Sequence, residues 1–235
     1  TYRLPPAMAR FESTLFYYRD NITLESGGPS RFIPDVRTET LPEWLAVALD
    51  TEPRVTVLLH DDNAATKDSP VEAFLAEQLL DPLPVVRENP SEDEVSAGVV
   101  VPFRLMRRRL QNQLDVSVDT VERFQGGERD VMVLAMTAGN QGYVNQLSEF
   151  LLDANRFNVG ASRMKRKLFI IVSKSLFRAV SSDPRSYEDH KAWKQLYQSM
   201  IAGEMPSAST ELTSDEVNDL EGRTVTVELY TGYRD

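Results

Sequence analysis

Residues 116–136 read Val116-Ser117-Val118-Asp119-Thr120-Val121-Glu122-Arg123-Phe124-Gln125-Gly126-Gly127-Glu128-Arg129-Asp130-Val131-Met132-Val133-Leu134-Ala135-Met136. A short β-branched run, Val116–Val118, is followed by a polar stretch and then by Val131–Met136, which is apolar at every position. A strand without polar alternation must be covered on both faces, which is the situation of a parallel sheet carrying helices on either side. Gly126 and Gly127 let backbone amides come close to a ligand, and Gln125 and Glu128 add hydrogen-bonding groups to the same turn.

The pattern extends outward in both directions. Upstream, Val99–Val101 reads as a strand, and a helix is expected from Phe103 to Leu114 with Phe103, Met106, Leu110 and Leu114 on one face. Val55–Leu59 is another buried-type strand. Ser69-Pro70-Val71-Glu72 then offers a cap, a first-turn Pro and a Glu placed for a capping box, opening a helix to about Leu80. After Pro5-Pro6, Met8, Phe11, Leu15 and Tyr18 recur at helical spacing. Residues 21–52 are loop-like with a short helix around Trp44, and 81–96 read as an exposed acidic loop. Downstream come a strand at Leu168–Val172 and a helix within 184–202 carrying Trp193, Leu196, Tyr197 and Met200. Residues 204–222 read as an acidic linker, and Val225–Tyr230 as a last, edge strand. Strands alternating with helices give an α/β fold with a parallel sheet flanked by helices. One domain is expected over 1–203, with 204–235 as linker and a C-terminal strand packing on it.

Composition excludes several classes. With 235 residues, 41% hydrophobic and 26% charged, the chain can build a proper core and is not a disordered or collagen-like sequence. No apolar run approaches the roughly 20 residues of a membrane span. The opening Thr1-Tyr2-Arg3 carries neither an initiating Met nor a leader pattern, so a processed chain or an excised piece is expected, at an intracellular, cytoplasmic location. Zero Cys and only two His, His60 and His190, argue against thiolate chemistry and a His-based zinc site. The net charge of −10 hides an asymmetry: residues 100–180 hold 13 basic and 7 acidic residues, a local +6 against −16 elsewhere. A basic middle in an acidic chain points to a phosphate-bearing ligand there, although ordinary surface variation produces such contrasts too.

A second segment, Phe150-Leu151-Leu152-Asp153-Ala154-Asn155-Arg156-Phe157-Asn158-Val159-Gly160-Ala161-Ser162-Arg163, also leads into a strand. Arg156 and Arg163 are seven apart, so on one helix they share a face, and two guanidinium forks suit a polyphosphate. Taken singly, a Gly-Gly turn is usually only a turn and helical arginines are usually solvated. In this order, the two segments resemble motifs V and VI of superfamily 1 helicases, in the branch of the nonsense-mediated-decay helicase and the Okazaki-fragment nuclease-helicase. Thr120-Val121, Phe124-Gln125-Gly126, Glu128 and Asp130 match the first; Phe150-Leu151, Asp153, Arg156, Asn158-Val159 and Ser162-Arg163 match the second. Tyr2-Arg3-Leu4-Pro5-Pro6, with Phe16-Tyr17, resembles the family's Y-R block, and Val99-Val100-Val101-Pro102-Phe103 a further strand end. The chain departs from the pattern at Thr1, Val101, Met106, Glu122, Asn155 and Gly160.

The resemblance implies a RecA-like P-loop NTPase fold. Neither a G-x-x-x-x-G-K-[ST] block nor a D-E-x-[SAG] block occurs, so it implies the second motor domain of a helicase, with both blocks in an upstream RecA-like domain. By the same resemblance, Arg163 and Arg3 are catalytic arginine fingers. Glu128, Gln125, Gly126, Arg156 and Tyr2 belong to nucleotide binding, and Thr120, Pro102, Phe103 and Arg104 to nucleic-acid binding. The implied cofactors are ATP and Mg²⁺, held mostly by the upstream domain; the implied partner is single-stranded DNA or RNA. The alternative is a catalytically retired module serving as a nucleic-acid- or protein-binding scaffold.

Overall fold

The computed structural model describes residues 4–17, 21–87, 89–124, 127–179 and 190–235. Its strands are β1 (Val55–His60), β2 (Ala97–Val101), β3 (Ser117–Thr120), β4 (Arg129–Ala135), β5 (Met164–Ser173), β6 (Ala208–Leu212) and β7 (Val225–Gly232). They form one sheet in the order β3-β2-β4-β5-β1-β7-β6. The pairs among β1 to β5 are parallel, whereas β7 runs antiparallel to β1 and to β6. The helices are α1 (Pro6–Glu12), α2 (Glu43–Ala48), α3 (Pro70–Leu80), α4 (Arg104–Gln113), α5 (Gln141–Gln146), α6 (Ser148–Leu151), α7 (Ala154–Ala161), α8 (Lys174–Phe177) and α9 (Lys191–Met200), with a π turn at Ser13–Tyr17 after α1.

Alternation along the central strands divides the core into two layers. From β4, Val131, Val133 and Ala135 enter one layer with α3 and α4. Met132 and Leu134 enter the other, with α1, α7 and α9. β5 divides in the same way, Phe169 and Ile171 against Leu168, Ile170 and Val172. Each such buried aliphatic or aromatic side chain contributes roughly 1.5–3 kcal/mol, so the continuous apolar runs pin these strands at the centre. Met8, Phe11 and Leu15 of the first helical stretch are buried as their spacing predicts, and Tyr18 lies outside the described residues. Helix α9 buries Trp193, Leu196 and Met200, whereas Tyr197 is exposed.

Three expectations are corrected. The linker reading of 204–222 gives way to β6, which pairs with β7 from Ala208–Leu229 to Leu212–Val225. Its alternating burial, with only Leu212 fully inside, hides the strand behind a polar composition. Consequently β7 is an inner strand between β1 and β6, not an edge. Ser69 caps α3 by accepting the Glu72 N–H (3.2 Å), but Glu72 does not close a capping box. Its side chain turns inward, fully buried, to Nε2 of His60 (3.1 Å) and the N–H of Thr137 (2.7 Å).

Among the described residues two cations, Lys167 and Arg54, are fully buried near the strand starts. Lys167 donates to the carbonyl oxygens of Asp50 and Pro53, the latter at 2.9 Å, and burial lowers its pKa to about 7. Arg54 pairs with Asp235 and donates to the carbonyls of Arg31 and Arg166. Asp235 also accepts the N–H of Ala7 (2.7 Å), joining α1 to the end of β7.

Candidate functional site

Because β1 to β5 run parallel, their starts collect at one end of the sheet and their ends at the other. The two groups of motif residues separate between these ends.

At the strand starts, the N–H of Arg129 donates to the carbonyl of Arg163 (3.0 Å), and Arg129 is registered against Met164. Glu128 and Arg163 each precede one member of that pair, so two sequence-distant residues become neighbours. Arg163 is half-buried, and its Nε is shielded without a hydrogen-bond partner among the described residues. A shielded N–H without an acceptor costs free energy until a partner takes it. Lys165 Nζ stands 3.7 Å from a Glu128 carboxylate oxygen. Beside Glu128 opens a polar cavity of about 870 Å³ whose lining includes Arg31, Arg123, Arg129 and Arg166.

The turn joining β3 to β4 is held in place by its apolar and acidic members. Phe124 is buried over β2, where Gly98 makes room for it: a Cβ there would lie 2.6 Å from Phe124 Cζ. Asp130 accepts from the Ser96 N–H and hydroxyl (2.8 and 2.7 Å) and stands 3.0 Å from Arg166 Nε. Its role is to tie β2 and β5 to β4. Gln125 and Gly126 lie outside the described residues, as do Tyr2 and Arg3.

At the strand ends, Thr120 closes β3; its carbonyl accepts the N–H groups of Arg123 and Phe124. Pro102 and Phe103 follow β2, Phe103 opens α4, and Arg104 is exposed beside it. Arg156 belongs to this end. It pairs with Glu122, stands 3.7 Å from Asp153, and lies over the Phe150 ring at 4.3 Å. Asp153 caps α7 by accepting the N–H groups of Asn155 and Arg156.

The expected shared helical face of Arg156 and Arg163 is therefore corrected. Helix α7 stops at Ala161, Arg163 lies in the turn beyond it, and the helix separates the two guanidiniums to opposite ends. Gly160 permits close packing of α7, since a Cβ there would meet Leu134 Cδ2 at 2.7 Å. The buried Glu72–His60–Thr137 group escapes sequence reading: a Glu three residues after a Ser looks the same whether it caps or enters the core.

No group of three or more His, Asp or Glu side chains suited to a metal occurs among the described residues, so none is assigned to Mg²⁺. No helix of the described residues is long and apolar enough to cross a membrane.

Comparison with known proteins finds the AAA domain family matching residues 1–175. The chain is 24% identical over 212 residues to ATP-dependent helicase NAM7 of Saccharomyces cerevisiae, covering 83% of this chain and 19% of that protein. It is 24% identical over 135 residues to DNA replication ATP-dependent helicase/nuclease JHS1 of Arabidopsis thaliana, covering 56% of this chain and 10% of that protein. Over 80 residues it is 30% identical to DNA replication ATP-dependent helicase/nuclease DNA2 of Bos taurus, 32% of this chain and 7% of that protein. The chain thus spans a minor part of each relative's length.

Proposed function

The chain belongs to the AAA domain family of superfamily 1 helicases, and from that premise we propose that it is the second motor domain of an ATP-dependent helicase or translocase acting on single-stranded nucleic acid. The observation that carries this reading is that Glu128 and Arg163 each lie one residue before the registered pair Arg129–Met164 at the strand starts, opposite Thr120, Pro102 and Phe103 at the strand ends. Residues 1–203 form the motor domain, and the β6–β7 extension widens its sheet.

ATP, held with Mg²⁺ mainly by an upstream RecA-like domain, supplies the free energy. Arg163, whose Nε–H finds no acceptor among the described residues, would with Arg3 stabilise charge developing on the γ-phosphoryl oxygens when that domain closes on it. Glu128 orients the ribose, with Tyr2, Gln125 and Gly126 completing the nucleotide side. Arg156 acts indirectly, fixing Glu122 and the Thr120 turn through its ion pairs. Thr120, Pro102, Phe103 and Arg104 hold the backbone of the strand. Arg163 supports a living motor over a retired scaffold, because no carboxylate of the described residues neutralises it.

Arg163→Ala in the intact parent protein tests the assignment. Nucleic-acid-stimulated kcat should fall by about 10³ or more, with little change in nucleotide Kd or melting temperature. Arg163→Lys should restore little, since an ammonium lacks the planar fork. Full-speed turnover by Arg163→Ala would end the finger assignment.

A further inference from the structure

We infer that the polar cavity beside Glu128 binds an oligophosphate, a run of two or more linked phosphate groups, at a site separate from the nucleotide contact assigned to Arg163. The inference stands on the cavity's own charges and goes beyond the motor-domain reading.

The cavity, about 870 Å³, runs from edge strand β3 across the starts of β4 and β5, and Arg163 is not among the residues that line it. Three carboxylates face it, and each already has a cation. Asp119 pairs with Arg107 (3.0 Å), Asp130 stands 3.0 Å from Arg166 Nε, and Glu128 stands 3.7 Å from Lys165. Arg166 also donates to the carbonyls of Phe32 and Glu92, at 3.4 and 3.2 Å, so its fork is occupied. Arg31, Arg123 and Arg129 line the same cavity, and none of the three has a carboxylate within ion-pair distance among the described residues. The terminal nitrogens of Arg129 donate to neutral oxygens, the Glu128 carbonyl (3.0 Å) and Ser117 Oγ (3.1 Å). Its Nε is shielded, with no acceptor among the described residues. The chain as a whole carries a net charge of −10, yet these three guanidiniums gather around one cavity and repel one another until an anion joins them.

Each of the three arginines has its own anchor in the fold. The Arg31 carbonyl accepts from buried Arg54, and Ile33, two residues on, enters the core. The Arg123 N–H donates to the Thr120 carbonyl (3.0 Å), and the next side chain, Phe124, is buried. Arg129 opens β4, and Gly127 lets the backbone close on it: a Cβ there would lie 2.6 Å from Arg129 Nη1. A guanidinium fork takes two oxygens of one phosphate, so three forks spread around a cavity of this volume exceed what a single phosphate engages. Linked phosphates satisfy several forks at once, whether they come from a free oligophosphate or from the backbone of a nucleic-acid strand.

The test maps arginine modification by phenylglyoxal in the parent protein by mass spectrometry, with tripolyphosphate and oligothymidylate as probes. At ten times its Kd, tripolyphosphate should slow modification of the exposed Arg31 and Arg123 by about 10-fold. Arg104 and Arg108, exposed on α4, should react as before. Arg129→Gln should abolish the protection, with the melting temperature measured alongside. Arg123→Gln, a change at an exposed position, should weaken the protection of Arg31 with the fold intact. Protection by oligothymidylate as well assigns the phosphates to a strand, and protection by tripolyphosphate alone assigns them to a free oligophosphate. Equal slowing at all four exposed arginines, which marks charge screening, would overturn the site. So would protection confined to Arg163, or protection of Arg31 that survives both substitutions.

Discussion

Lys167 has no exposed surface, and among the described residues its amine donates to backbone carbonyls and to no carboxylate. Burial brings its pKa from 10.5 to about 7, so between those values the unfolded chain binds a proton that the folded chain does not. Stability accordingly rises with pH across that window, by on the order of 4 kcal/mol from this residue alone. Lys167→Met should lose that slope; melting temperatures of wild type and variant from pH 7 to 10 provide the check. Sequence reading places Lys167 beside a strand but does not see it as buried, because a lysine's neighbours in space are set by the loop at Asp50–Pro53. Glu72 is the same case with opposite charge: burial raises its pKa, and its partners come from β1 and from the turn after β4.

Among elements, the turn from β3 to β4 depends on a vacancy in β2. Gly98→Val should push the Phe124 ring off the sheet and cost roughly 1–3 kcal/mol in overpacking. Loss of nucleotide affinity in the parent protein should exceed what melting predicts, because Glu128 rides on the same turn; calorimetry of both quantities decides it. The central strands and most helices are legible because their apolar periodicity states their burial directly. β6 is not, since Ala208-Ser209-Thr210-Glu211-Leu212 gains its strand character from pairing with β7. The helical register of Arg156 and Arg163 misleads for a similar reason. Spacing says which residues share a face only while the helix lasts, and α7 ends two residues before Arg163. Sequence reading names the motif residues, but their division between two ends follows from strand direction.

Across the whole molecule, Asp235 joins residues from three distant regions: the start of α1 through the Ala7 N–H, β1's approach through Arg54, and β7. Burial alone would raise its pKa; hydrogen bonds from Ala7, Ser30 and Arg54 outweigh that and hold the carboxyl below its usual range. The tie therefore stabilises fully above about pH 4 and is lost as pH falls through the lowered value. Asp235→Ala should cost about 3 kcal/mol at neutral pH, because Arg54 is left buried without a counter-charge, and the difference from wild type should shrink in acid. Denaturant titration at pH 7 and pH 3 tests both statements. Helix α7, lastly, has eight residues and hence a length of about 12 Å, with Arg156 in its first turn and Arg163 just past its last residue. Packed against Leu134 with no side chain at Gly160, it has no slack to absorb. Close-packed interiors compress very little. Under the proposed roles α7 is a push-rod between the turn that carries Arg163 and the first-turn Arg156, its stroke limited by its seating rather than by its bending.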